Sequence, residues 1–127
     1  MNEEELWALE SLGHFYLVRD QVERARAIFE ATVAIAPERG YPWFALGLIA
    51  TAEGDYANAG VCYQKAVERS EDPRFRMALA ESHLRSQQPK KAEPILRRLV
   101  ASTDSTLGQR ARALLVRHNW VSEAELP

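Results

Sequence analysis

Apolar residues recur at spacings of three and four in successive segments, and polar or helix-breaking residues separate the segments. That pattern predicts helices and no strands. Asn2 is placed to cap a first helix whose opening turn holds Glu3, Glu4 and Glu5, and the helix should run to about Arg19. Asp20, with Glu23 three residues on, reads as a capping box for a return helix from Gln21 to Ala36 that buries Val22, Ala25, Ile28, Phe29 and Val33 and is stopped by Pro37. Pro42 suits the first turn of a third helix ending near Glu53. Gly54-Asp55 then makes a turn into a fourth, about Tyr56 to Arg69. Asp72-Pro73 starts a fifth, to about Ser86. The sixth should begin late or kinked, near Lys91, because Pro94 would remove a bond to Lys90 in a helix beginning at Pro89. A last helix is expected from Thr106 to His118, with Leu107, Ala111, Leu114 and Leu115 on one face, and Trp120 is expected to dock on it.

Three of these segments superimpose at spacings of 34 and then 33 residues. Counting from Leu6, positions 4, 7, 8, 11, 20, 24 and 32 hold Leu9, Leu12, Gly13, Tyr16, Ala25, Phe29 and Pro37. Counting from Gly40, positions 4, 7, 8, 20 and 24 hold Trp43, Leu46, Gly47, Ala59 and Tyr63. From Pro73, positions 7, 8, 20 and 24 hold Leu79, Ala80, Ala92 and Leu96. This resembles the tetratricopeptide repeat, with its W-x2-L-G-x2-Y, A-x3-F and P signature. The resemblance implies one all-α domain over residues 1–127: a right-handed stack of three helix pairs, about 6–39, 40–72 and 73–105, closed by a capping helix at about 106–118. Units of this kind cannot bury their apolar faces alone, so they stack. Trp43 and Tyr63, at packing positions, are expected in the core.

Composition narrows the setting. With 46% hydrophobic and 27% charged residues the chain is of globular type. Its longest apolar stretch, near Tyr41 to Ala52, is broken by Pro42 and Gly47, so no membrane insertion is expected. Acidic residues follow Met1 where a secretory signal would be basic, and one cysteine permits no internal disulfide. A cytoplasmic protein is expected. Residues 1–72 carry 13 acids and 6 bases, residues 73–127 carry 5 acids and 10 bases, so the net charge of −2 conceals a charge dipole along the sequence. The bases are scattered without interleaved aromatics, which speaks against nucleic acid.

Catalytic and metal motifs do not emerge. His14, His83 and His118 lie far apart with no partner at a metal-ligand spacing, and neither G-x-G-x-x-G nor a P-loop occurs. Cys62 reads as a small buried thiol, and the carboxylate pairs at Glu53/Asp55 and Glu71/Asp72 fall at turns. The chain is read as a non-enzyme with no cofactor. In a tetratricopeptide stack the first helix of each repeat lines an inner groove with positions 2, 5, 9 and 12. Here these are Trp7, Glu10, His14 and Leu17; Tyr41, Phe44, Leu48 and Thr51; and Arg74, Met77, Glu81 and Leu84. The middle set is apolar and aromatic, which suits an extended peptide with hydrophobic anchors.

From Leu9 to Glu93 the chain is also similar to the class II chaperones of type III secretion, the SycD/LcrH/PcrH/IpgC group. Leu9-x-Ser11-Leu12, Ala25-x3-Phe29-x-Ala31, Phe44-x-Leu46-Gly47, Gly54-x-Tyr56-x2-Ala59 and Ala92-Glu93 carry that similarity, and Asp72-Pro73-Arg74-Phe75 is its most specific part. The resemblance implies a cytosolic, ATP-free chaperone that holds an extended segment of a translocator, with a possible homodimer. Glu10 and His14 stand where members often show aromatics, which makes the first pocket more polar. A YscG/YscY-type chaperone of needle or export components, and a generic adaptor for another protein, are the alternatives.

Overall fold

A computed structural model describes residues 1–125, and α-helices account for most of them, with no strand among the described residues. The helices are α1 (Glu3–Val18), α2 (Val22–Ile35), α3 (Gly40–Ala52), α4 (Tyr56–Arg69), α5 (Pro73–Arg85), α6 (Pro89–Leu99) and α7 (Ser105–Arg117). Their starts follow from short polar side chains that accept the orphan N–H groups of a first turn. Asn2 Oδ1 accepts from Glu5 N at 2.8 Å while Glu5 Oε1 accepts from Asn2 N at 3.2 Å, a full capping box. Asp55, Asp72 and Asp104 cap α4, α5 and α7 in turn, accepting from Asn58 N, Arg74 N and Leu107 N. Gly54, at φ 78°, supplies the left-handed turn ahead of Asp55.

Three starts differ from expectation. Asp20 does not cap α2: it adopts φ 60° and donates its N–H to Leu17 O, so it terminates α1, and Gln21 precedes α2 without a side-chain cap. Helix α3 begins at Gly40, two residues before Pro42, whose missing N–H still falls among the orphans of the first turn. Helix α6 begins at Pro89, not near Lys91, and carries Pro94 inside it. The proline forfeits the bond to Lys90 O, but Lys90 is exposed, so water can take that carbonyl.

The residues gather into two compact units, Met1–Ser70 and the part from Glu71 onward. In the first, Ala25, Phe29, Ala45 and Ile49 form a buried cluster, flanked by Tyr16, Leu17, Val22, Tyr41 and Leu46. Two glycines govern its helix pairs. A Cβ on Gly13 would lie 2.6 Å from Phe29 Cζ, and one on Gly47 would lie closer still to the Tyr63 ring. Position 8 of each first helix is thus a seat for the ring at position 24 of the return helix. Tyr63 also has its hydroxyl 2.9 Å from Thr51 Oγ1, which donates to Gly47 O. Tyr63 is buried, as expected; Trp43 is not fully so. Its indole N–H donates to Pro37 O at 3.0 Å, which holds the ring at the surface, and Lys65 Nζ sits 4.3 Å from the ring centroid.

In the second unit Met77, Ala80, Ala92, Leu96, Leu99, Ala111, Leu115 and Val121 make one buried cluster. Here alanine replaces glycine at position 8 and leucine replaces the ring at position 24, so the same seat is filled by a larger base and a smaller guest. Trp120 packs against this cluster and stacks on His118 at 4.9 Å, and Arg97 donates to its carbonyl at 3.1 Å. Docking of that tryptophan is therefore as expected.

Gly47→Ala should destabilise the protein by about 1–3 kcal/mol in urea unfolding, because the ring below it has nowhere to move. The cost should shrink in a Tyr63→Leu background, giving a coupling energy of at least ~0.5 kcal/mol in a double-mutant cycle.

Candidate peptide-binding face

Packing of Gly13 and Gly47 against their rings fixes how α1 and α3 are rotated, and most of the groove residues of the first unit lie on the flank beside those glycines. The rings there touch in series. His14 Nδ1 lies 3.0 Å from Tyr41 Oη, and Tyr41 meets Phe29 edge to face at 5.8 Å and 76°. Phe44 lies between Tyr41, at 6.2 Å, and Tyr63, at 5.8 Å. Tyr41 and Phe44 are half-buried, so each is held by neighbours yet presents part of its ring. Leu48 is 37% exposed and Trp7 66% exposed, while Leu17 leans on the core cluster. The outcome is an apolar, aromatic surface with a few hydroxyl and imidazole groups, suited to receiving apolar side chains.

Glu10 behaves differently from expectation. It is buried, and its two oxygens accept from Arg39 Nε at 2.7 Å and Nη2 at 2.8 Å. Arg39 Nη1 also donates to both oxygens of Glu3. The hydrogen bonds that Arg39 donates to Glu10 are the main reason its guanidinium is held well above its ordinary pKa. Glu10 is therefore a strut between α1 and the turn before α3, not a free carboxylate facing a ligand. Nothing in the apolar periodicity marks Arg39, which sits in a turn 29 residues away; an isolated arginine between Pro37 and Gly40 was the only signal.

In the second unit by itself, the register residues are placed differently from expectation. Met77 is 2% exposed and lies in the core cluster with residues of α6 and α7, so it does not line a surface. Its flexible thioether fills space that α7 closes. Leu84 is half-buried against the same cluster. Glu81 is paired with Arg110 of α7. Arg74 is exposed and forks onto Asp72, and that contact holds the Asp72 carboxyl below the usual carboxylate range.

Chemical candidates find no partners here. Cys62 is buried, and burial pushes its thiol pKa up, away from the reactive thiolate. Burial likewise lowers the pKa of His83, keeping it neutral. Among the described residues no group of three His, Cys, Asp or Glu side chains is placed to hold a metal, and no helix is long and apolar enough to cross a membrane.

The tetratricopeptide repeat family model matches residues 50–115, just over half of the chain. The chain belongs to the tetratricopeptide repeat family. No curated protein matches it. Solved structures do. The type III secretion translocator chaperone SycD of Yersinia enterocolitica superposes with a TM-score of 0.85 at 23% identity, covering 94% of this chain and 87% of that one. PcrH, a protein of Pseudomonas aeruginosa, is similar in two complexes. With the chaperone binding region of PopB the TM-score is 0.78 at 27% identity over 91% of this chain and 98% of that one. With the chaperone binding region of PopD it is 0.83 at 25% identity over 94% and 95%.

Glu10→Gln should cost about 3 kcal/mol in denaturant unfolding, since it leaves the Arg39 charge facing a neutral amide. Glu3→Gln, at the exposed end of the same arginine, should cost less than ~1 kcal/mol.

Proposed function

We propose that this protein is a type III secretion chaperone, which holds an extended segment of a translocator or another secreted protein on the outward sides of its first helices. The similarity to PcrH in complexes with the chaperone binding regions of PopB and PopD, over at least nine-tenths of this chain, carries the reading. The side chains agree with it. Tyr41, Phe44 and Leu48 are the apolar anchors, with Trp7, His14 and Leu17 beside them. Arg74, Glu81 and Leu84 of the second unit are proposed to touch the same segment. Three repeats, about 6–39, 40–72 and 73–105, with α7 as cap, are proposed to act as one domain in the cytoplasm.

Binding of this kind requires no reaction. A chaperone of a membrane-active protein needs only to cover apolar side chains until export, and buried apolar anchors are worth ~2 kcal/mol or more each when they fill pockets. Half-buried rings, already held by His14, Phe29 and Tyr63, lose little freedom when a ligand arrives. An adaptor in a bacterial assembly, or a chaperone of needle or export components in the YscG/YscY manner, would use the same surface. Co-expression separates these readings: a chaperone keeps an otherwise insoluble translocator in solution, and an adaptor does not.

Calorimetric titration with a peptide spanning the chaperone binding region of PopB tests the anchors. Phe44→Ala and Leu48→Glu should each weaken binding by at least about tenfold. Affinity unchanged in both variants removes the proposal.

A further inference from the structure

Counting a further 33 residues from Pro73 starts a fourth register at Thr106, and it places α7 as a first helix. Positions 4, 7, 8 and 11 then hold Gln109, Arg112, Ala113 and Val116. Position 8 is buried in each of the three repeats, at Gly13, Gly47 and Ala80, because a return helix lies on it. In α7 that position is exposed. Among the described residues no return helix covers this side. Instead there is a hollow of about 490 Å³ lined by Gln109, Arg112, Ala113, Val116 and Arg117. Arg112 Nε is buried there with no hydrogen-bond partner. An unpaired buried donor is costly, and two guanidinium groups around a small apolar floor call for a helix that brings carboxylates together with an apolar side chain.

The same chain carries a helix of that chemistry. On α1, Glu4, Trp7, Ala8 and Ser11 share one exposed stripe, continued by Phe15 and Val18. Trp7 is 66%, Phe15 44% and Val18 62% exposed. We propose that, while no segment is bound at Trp7, α7 of one molecule receives α1 of a second copy in place of a return helix, forming a head-to-tail contact. A return helix runs antiparallel to its first helix, and an antiparallel α1 places these side chains in register. With Trp7 over Ala113, Ser11 falls opposite Gln109, Ala8 opposite Arg112, Glu4 opposite Val116 and Glu3 opposite Arg117. The indole then lies across Ala113, standing off by its methyl group where Phe29 and Tyr63 sit directly on Gly13 and Gly47. The acidic first turn of α1 lies beside Arg117 and within reach of Arg112, and the opposed helix dipoles favour the pairing. Charge follows the same direction at the level of the whole chain, acidic in its first 72 residues and basic thereafter.

Such a contact joins two different faces, so each added molecule leaves both kinds of face available and assembly does not stop at a dimer. A single helix face is a small interface, so the association should be weak, with a midpoint on the order of 10–100 µM. Light scattering of the full chain at low salt, from ~5 to ~500 µM, reads this directly. Mass is expected to climb beyond that of a dimer and to fall on adding salt. Arg112→Glu and, separately, Arg117→Glu should each move the midpoint up by at least about tenfold, as should Glu4→Lys; Arg112→Glu combined with Glu4→Lys should bring it back, with circular dichroism showing each variant folded. A monomer at every concentration overturns the proposal. So does a ceiling at the dimer that ignores the arginine changes, the result expected if α1 pairs with α1, and so does association that the combined variant fails to restore. None of these substitutions touches Phe44 or Leu48, so a negative result here leaves the chaperone reading standing.

Discussion

Contact between a residue with little or no side chain at position 8 and a ring or leucine at position 24 is the constraint on which the rest of this structure depends. Gly13 under Phe29 and Gly47 under Tyr63 leave no room for a methyl group, so each first helix can meet its return helix only with that side inward. A helix fixed on one side has its other side fixed too. The residues two and five places into α3, Tyr41 and Phe44, are turned out by the same packing that buries Gly47, and Leu48 follows one turn later. The candidate binding face is thus a consequence of the core within the first unit, not an addition to it.

Polar groups around that face serve mainly to hold it. Arg39 binds Glu10 and Glu3, tying the start and middle of α1 to the turn that launches α3. His14 meets Tyr41 at its hydroxyl, and Thr51 meets Tyr63. These contacts limit how far the rings can swing, and a surface whose rings are already placed gives more of its contact energy to a ligand. The candidate first pocket is consequently less polar than the register implies, since His14 stays exposed and Glu10 is withdrawn into the arginine pair.

Much of the fold was legible because it rests on local, periodic causes. Asn2, Gly54-Asp55 and Asp72-Pro73 each announce a helix boundary through one side chain acting on its own first turn, and all three act as read. Asp20 failed because two local uses of one aspartate compete, and closing α1 in a left-handed conformation won over capping α2. Pro94 costs α6 a single hydrogen bond, and the buried Ala92, Leu96 and Leu99 hold the helix together on its other side, a tertiary cause that the local sequence around Lys91 does not show. The candidate site was legible to the extent that it follows register. Register cannot show where a long-range partner intervenes, which is why Glu10 went to Arg39, Glu81 to Arg110 and Met77 into the core closed by α7. Exposure of Phe15 and Val18 was also missed, since neither occupies a signature position.

The central claim is that the outward sides of α1 and α3 receive an extended apolar segment. Backbone amide spectra of isotopically labelled protein, recorded while the chaperone binding region of PopB is added, test it most directly. The account predicts shifts concentrated at Trp7, His14, Tyr41, Phe44 and Leu48, with the α2 residues Glu23, Ala27 and Glu30 unmoved. Shifts confined to α2, α4 or the exposed side of α7, with Tyr41 to Leu48 silent at saturation, would contradict it.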